Sequence, residues 1–291
     1  MLSRVRRLAG LVTTVVVFFV LAGATYQGVA TSLERRDFQR PGGLGDVGGF
    51  QLHIYCVGTG SPTVVLEAAA GSLSAAWGQV QEDVARMTRV CSYDRDGLGW
   101  SETRDGRYEP SRVPAELRAL LEEAHEPAPF VLAGHELGAA FARAFAATYP
   151  RDAAALVLID DPITGGRSSP LPPMPGAWPW LARTGLLRAT GSLSRHANGL
   201  PGKAGGAMRA FLNRPDHLTR AATEISRREE VEAAVRTLQL DPSVAVVEVA
   251  TSAAGTPAMI VTDEDTARVT AALEAAVTRV RQARAKSSLE Q

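Results

Sequence analysis

The stretch Pro129-Phe130-Val131-Leu132-Ala133-Gly134-His135-Glu136-Leu137-Gly138-Ala139 decides the fold. A short apolar run leads into a turn, and a small-residue run at helical spacing leaves it. Gly134 and Gly138 stand two residues either side of Glu136. This is the form of a nucleophile elbow, in which strand and helix backbones nearly touch and only glycine fits at the crossing. Glu136 stands at the centre, where a nucleophilic serine is expected.

Outward from the elbow, strand and helix patterns alternate. Upstream, Phe50–Val57, Thr63–Glu67 and Arg89–Tyr93 read as strands. Trp77–Met87 and Ser111–Ala124 read as helices, the second with Leu117, Leu120 and Leu121 on one face. The elbow contributes the strand Phe130–Ala133 and the helix Ala139–Tyr149, and Ala155–Asp160 is a further strand. Strands separated by helices of this length predict a mostly parallel, doubly wound sheet. The pattern then breaks: Pro162–Pro179 holds six prolines, and Ala182–Leu240 reads as short helices. That region, about 162–240, is expected to be a helical cap inserted over the sheet. Ser243–Ala250 resumes the strand pattern, Pro257–Thr262 is a further short apolar piece, and Thr266–Arg284 is a closing helix.

The 291 residues are 45% hydrophobic and 21% charged, ordinary for a globular chain with a sizeable core. Net charge is zero, so there is no basic excess to neutralise phosphates, and a nucleic-acid partner is not expected. Two cysteines, Cys56 and Cys91, do not make a zinc cluster or a disulfide scaffold. No cofactor or metal is expected. His135-Glu136 is not a zinc-protease pair, because the second histidine would fall at position 139, which is alanine.

At the amino terminus, Arg4, Arg6 and Arg7 precede an uncharged run from Leu8 to Leu33. A bilayer-spanning helix needs about 20 apolar residues, and basic residues before it hold that end in the cytoplasm. The expectation is a single-pass anchor over residues 1–33, meeting the lipid bilayer through residues 8–29, with the domain extracytoplasmic. The alternative is a cleaved signal peptide and a secreted protein, because Ala22-Gly23-Ala24 has the small-residue form of a cleavage site. Residues 34–49, charged and then glycine-rich, read as a linker, and 50–291 as the domain.

The elbow, the run Tyr93-Asp94-Arg95-Asp96-Gly97-Leu98-Gly99-Trp100-Ser101 and the strand-loop Val64-Val65-Leu66-Glu67-Ala68 resemble the α/β-hydrolase fold. The match is closest to bacterial members that begin with a membrane helix. The resemblance is strong over Phe50 to about Pro162 and weak at the C-terminal end. It implies oxyanion-hole amides at Leu137 and near Ala70. It also implies a triad acid and a histidine in the loop after the last strand, and here the chain departs from the family. All five histidines precede that loop, and aligning Asp263 with the family's acidic residue puts Ala258 where the histidine belongs. A second register makes Pro257–Thr262 itself a strand. The acid-bearing strand reads as shortened or missing between Leu240 and Ser243, which leaves Asp160 as a candidate remnant acid.

Acyl transfer needs a nucleophile, a base and an oxyanion site. A carboxylate at an elbow serves as nucleophile in related epoxide hydrolases, yet that route also needs the missing base. The expectation is a pseudo-hydrolase that binds a small apolar ester or acyl ligand, or a protein partner. The alternative is an active carboxylic-ester hydrolase using Glu136, Ser72 or Ser101. Glu136 is expected to place its own carboxylate on the Leu137 and Ala70 amides. Asp94 and Arg95 are expected to fix the turn after their strand, and His217 to sit on the cap surface. Trp178, Trp180, Leu181, Leu186 and Leu187 read as cap packing or as a membrane-facing surface. The family's usual strand order makes the strands of Cys56 and Cys91 neighbours, so a disulfide is one reading and a pair of buried thiols the other.

Overall fold

The computed structural model describes residues 2–166, 175–252, 259–260 and 262–289. An apolar first segment with no proline forms one long helix, α1 (Leu2–Asp37). It is long and apolar enough to cross a membrane, with a mean hydropathy of 2.2 in its most apolar window. Its hydroxyls close on its own backbone, as in Thr14 to the Gly10 carbonyl and Thr25 to the Leu21 carbonyl.

Seven strands follow: β1 (Gly43–Asp46), β2 (Gln51–Val57), β3 (Val64–Glu67), β4 (Val90–Tyr93), β5 (Phe130–His135), β6 (Ala153–Ile159) and β7 (Ala245–Val249). They form one sheet in the order β1-β2-β4-β3-β5-β6-β7. The β1/β2 and β2/β4 pairings are antiparallel and the rest are parallel. The helices α2 (Gly78–Ala85), α3 (Val113–Glu123), α4 (Leu137–Thr148) and α10 (Asp263–Leu289) cover the sheet. Because successive strand side chains alternate faces, two cores result. Val65, Cys91, Leu132 and Leu156 pack with Leu117, Leu120 and Phe145 of α3 and α4. Val64, Leu66, Val131 and Val157 pack with Val84 of α2 and with Leu273 and Val277 of α10. The doubly wound α/β-hydrolase architecture expected from the sequence is therefore the one observed.

The cap comprises α5 (Trp178–Arg183), α6 (Leu186–Thr190), α7 (Gly202–Phe211), α8 (Pro215–Ser226) and α9 (Arg228–Arg236). It inserts between β6 and β7, where the proline-rich break predicts it.

Three sequence expectations are corrected. The 34–49 linker is not a free tether: α1 continues to Asp37, and Gly43–Asp46 pairs with Gln51–Ile54 as an edge strand. A ladder needs only backbone donors and acceptors, which glycine supplies without any side-chain pattern to reveal the strand. The acid-bearing strand is neither absent nor shortened, since β7 lies parallel beside β6 with Ala155 opposite Ala245 and Ile159 opposite Val249. Within Pro257–Thr262, the described Met259 and Ile260 are buried but belong to no strand, and the rest of that reading, except Thr262, lies outside the described residues.

Cys56 and Cys91 face each other across the β2/β4 pair and form a disulfide with Cα atoms 4.0 Å apart. Neither thiol is expected to alkylate without reductant in protein recovered from its native compartment. Replacing both cysteines by alanine should lower unfolding free energy by roughly 3–4 kcal/mol, the loop-closure entropy of such a cross-link. Denaturant titration of the two forms checks the second figure.

Candidate active site at the elbow

Glu136 ends β5 and caps α4 at φ 54°, ψ −119°. That is a strained backbone for a residue with a Cβ, and it is held here by its surroundings. A Cβ on Gly134 would meet the Gly138 carbonyl oxygen at 2.3 Å, and one on Gly138 would meet the Glu67 carbonyl at 2.4 Å. Only glycine permits this crossing of β5, α4 and β3. The geometry of an elbow is complete, with a glutamate at its apex.

The Glu136 side chain is 2% exposed, and its carboxylate takes a hydrogen bond of 2.6 Å from Arg228 Nη2 at the start of α9. It makes no cap bond to α4. Among the described residues, neither the Leu137 amide nor the Ala70 amide reaches it. The expected plug of the oxyanion amides is thus corrected: a cap guanidinium offers a full positive charge, which outcompetes the partial charge of a helix end. Leu137 and Ala70 themselves sit in an apolar cluster with Phe141, Trp178, Leu218 and Ile225, so cap side chains cover the loop and the head of α4.

Beneath the cap lies a second ion-paired centre that the sequence did not reveal. Arg95, 3% exposed, is held between Glu67 at the end of β3 and Glu224 of α8. Its guanidinium donates to the Ala68 and Ala69 carbonyls at 2.7 and 2.8 Å and stands over the Phe141 ring. Glu224 also accepts the Gly71 amide at 2.7 Å and the Tyr108 hydroxyl at 3.0 Å. Burial works against the charged form of Glu224, yet Arg95 and these donors hold its carboxyl below the ordinary value. For Glu67 burial prevails over Arg95 and Tyr93, and its pKa is raised.

The other candidates resolve as follows. Asp94 accepts the Ser74 and Trp100 amides at 2.6 and 2.9 Å and pairs with His53, fixing the turn as expected. Both His53 ring nitrogens are taken, by Asp94 and by the Pro41 carbonyl, so it is committed to structure. Asp96 accepts from the Arg104 amide and from Arg220 of α8, another tie to the cap that sequence reasoning left unexplained. Ser101 donates to the Asp94 carbonyl and accepts the His53 amide, which leaves it no role as a nucleophile. The Ser72 hydroxyl is buried without a described partner, and no histidine activates it. Asp160 accepts the Thr251 amide and hydroxyl at 3.0 and 2.6 Å and stands 3.6 Å from His135 Nε2. Burial opposes its charge, but those bonds keep its carboxyl below the ordinary value. Ala258 lies outside the described residues.

His217 is a further correction. It is not on the cap surface: it is 2% exposed, and its Nδ1 accepts the Gly99 amide at 3.1 Å. Burial pushes its pKa down from 6.5 to about 4. Of the tryptophan–leucine group, Trp178 and Leu187 are buried in the cap, while Trp180 and Leu186 are exposed. A cleft of about 750 Å³ opens elsewhere, between the end of α1, α2 and α7, and none of the elbow residues lines it.

A model described as the alpha/beta hydrolase family matches residues 58–290, most of the chain. An esterase from Rhodococcus sp. ECU1013 superposes with a TM-score of 0.59 at 19% identity, covering 81% of this chain and 98% of that one. An enol-lactonase from Burkholderia xenovorans LB400 gives 0.57 at 17% identity, covering 81% and 100%. At these identities the likeness speaks for the fold alone. An uncharacterized vacuolar membrane protein of Saccharomyces cerevisiae is 31% identical over 116 residues, 34% of this chain and 18% of its own length. An uncharacterized Bacillus subtilis protein, YqjL, is 28% identical over 103 residues, 35% of this chain and 41% of its own. The chain thus spans less than half the length of these curated relatives.

Two outcomes are expected. Arg228→Met should destabilise the protein by about 3 kcal/mol, because a buried carboxylate loses a charged partner. The same change in a Glu136→Leu background should cost clearly less, as denaturant titration of the double-mutant cycle will show. For His217, the unfolded chain takes up a proton below pH 6.5 while the folded one resists until about pH 4. Stability therefore falls as pH drops through that window, by about 3 kcal/mol if the group acts alone. The difference in melting temperature between wild type and His217→Gln, followed from pH 7 to pH 4, should shrink on acidification.

Proposed function

The chain belongs to the alpha/beta hydrolase family, and we propose that it acts as a membrane-anchored binding protein whose hydrolytic site is closed. The observation that carries this reading is the 2.6 Å ion pair between Glu136 and Arg228. A nucleophile must offer a free lone pair toward a substrate carbonyl or an electrophilic carbon. A carboxylate that spends its oxygen on a guanidinium is a weaker nucleophile and sits under a charge that a substrate would have to displace. The bases a hydrolase would need are also engaged: His53 is bonded through both nitrogens, and His217 is bonded to Gly99. The apolar cluster that joins Ala70 and Leu137 to the cap suits an acyl or ester ligand better than a polar one. Continuity supports membrane anchoring: α1 runs unbroken through Ala22-Gly23-Ala24 and docks on the cap just beyond it.

The test is hydrolysis. Full-length protein in detergent should not turn over p-nitrophenyl butyrate above buffer, nor react with a fluorophosphonate probe. Glu136→Ser alone should stay inactive, because a serine without a base remains protonated. Wild-type turnover that is abolished by Glu136→Gln would sink this reading and make Glu136 a nucleophile.

A further inference from the structure

The way α1 meets the cap fixes how deep the cap sits. At a rise of about 1.5 Å per residue, a hydrocarbon core of about 30 Å takes up about 20 residues of helix. Arg4, Arg6 and Arg7 mark one boundary, so the other falls near Gln27. The side chains from Leu8 to Leu21 that lie between are exposed, as a lipid-facing surface would be. The domain does not wait for that second boundary. At Gly23 the α5–α6 turn already touches the helix so closely that a Cβ would meet the Thr184 carbonyl oxygen at 2.0 Å. The turn therefore lies roughly 6 Å inside the hydrocarbon edge.

We propose that the α5–α6 surface of the cap is embedded in the outer face of the bilayer, with Trp180 and Leu186 as its lipid contacts. This rests on the reading of α1 as a membrane span. Three observations carry it beyond that reading. Trp180 and Leu186, 70% and 49% exposed, flank the turn, and among the described residues they are two of only four exposed large hydrophobics outside α1. The turn's own polar groups are satisfied internally, as lipid demands: the Thr184 amide bonds to the Trp180 carbonyl, the Thr184 hydroxyl to the Leu181 carbonyl, and the Gly185 amide to the Ala182 carbonyl. Polar contacts between α1 and the cap begin only at the calculated boundary. Gln27 donates to the Asn213 carbonyl at 2.6 Å and accepts from Arg188, which also pairs with Glu34. Arg183 lies 5.1 Å from the Trp180 ring centre, an aromatic with a cation beside it at headgroup level. The partner is thus a phospholipid surface.

Full-length protein reconstituted in phosphatidylcholine liposomes tests this by tryptophan quenching with lipids brominated at the 6,7 or the 11,12 acyl positions. Trp77 and Trp178 are buried and Trp100 is partly so, which leaves Trp180 as the exposed reporter. The 6,7-dibromo lipid should quench wild-type emission more than the 11,12 lipid, and Trp180→Phe should remove at least half of that quenching. Gly23→Leu keeps the apolar span but drives a side chain into Thr184, so it should still float with liposomes while quenching falls at least twofold. Wild-type protein that floats after an alkaline wash yet is quenched by neither lipid would overturn the embedded cap alone. Protein that fails to float would overturn the membrane span, and the embedded cap with it.

Discussion

Arg95 is the charge on which the assembly of sheet and cap depends. A guanidinium is costly to bury, and the cost is offset only when every donor finds an acceptor. Here the acceptors come from three directions: Glu67 from the end of β3, the Ala68 and Ala69 carbonyls from the following loop, and Glu224 from the cap. The loop carbonyls are thereby turned toward the guanidinium, and the Gly71 amide toward Glu224. Two carboxylates around one cation would leave a net negative charge in the core. The raised pKa of Glu67, with the Tyr93 hydroxyl donating to it, shows where that excess is relieved. A cap joined this way is part of the core and not a loose lid, since withdrawing Glu224 would strand Arg95.

The second join has the opposite polarity. Glu224 brings an acid from the cap to a base in the body, and Arg228, four residues later, brings a base from the cap to an acid at the elbow. The α8–α9 junction thus carries two cross-links whose charges are mutually exclusive, so neither cap residue can take the other's partner. That arrangement fixes the register of the cap over the sheet. It also gives the strained elbow a purpose without catalysis: the turn that once raised a nucleophile now raises an anchoring carboxylate. The backbone at φ 54° remains because Gly134, Gly138 and β3 leave it no other path.

What the sequence made legible follows from period and sterics. The strand and helix pattern, the elbow glycines and the cap boundaries are local properties, and all of them appear in the fold within a few residues. The edge strand Gly43–Asp46 was hidden because glycine carries no pattern, and the burial of His217 because a short segment around a proline reads as surface. The ion pairs Arg95–Glu224 and Glu136–Arg228 join residues 129 and 92 positions apart, and no spacing rule connects them. A signal for one end was nonetheless present. His217, Ala221, Glu224 and Ile225 fall on one helical face at offsets of four, seven and eight. A glutamate on an otherwise apolar face asks for a buried cation.

Helix α8 then becomes the strut of the molecule. Near its start, the Asn213 carbonyl accepts Gln27 of α1, and toward its end Glu224 enters the core beside the loop after β3. Arg220, between them, reaches Asp96 in the turn after β4. One face of one helix therefore binds the apolar N-terminal helix, the Asp94–Trp100 turn and the buried guanidinium in succession. Displacement of α1 relative to the sheet would have to break these bonds or carry the cap along. The position of the cap along α1 and the closure of the elbow are two consequences of the same rigid segment, and a ligand that reaches Glu136 must do so past α8 and α9.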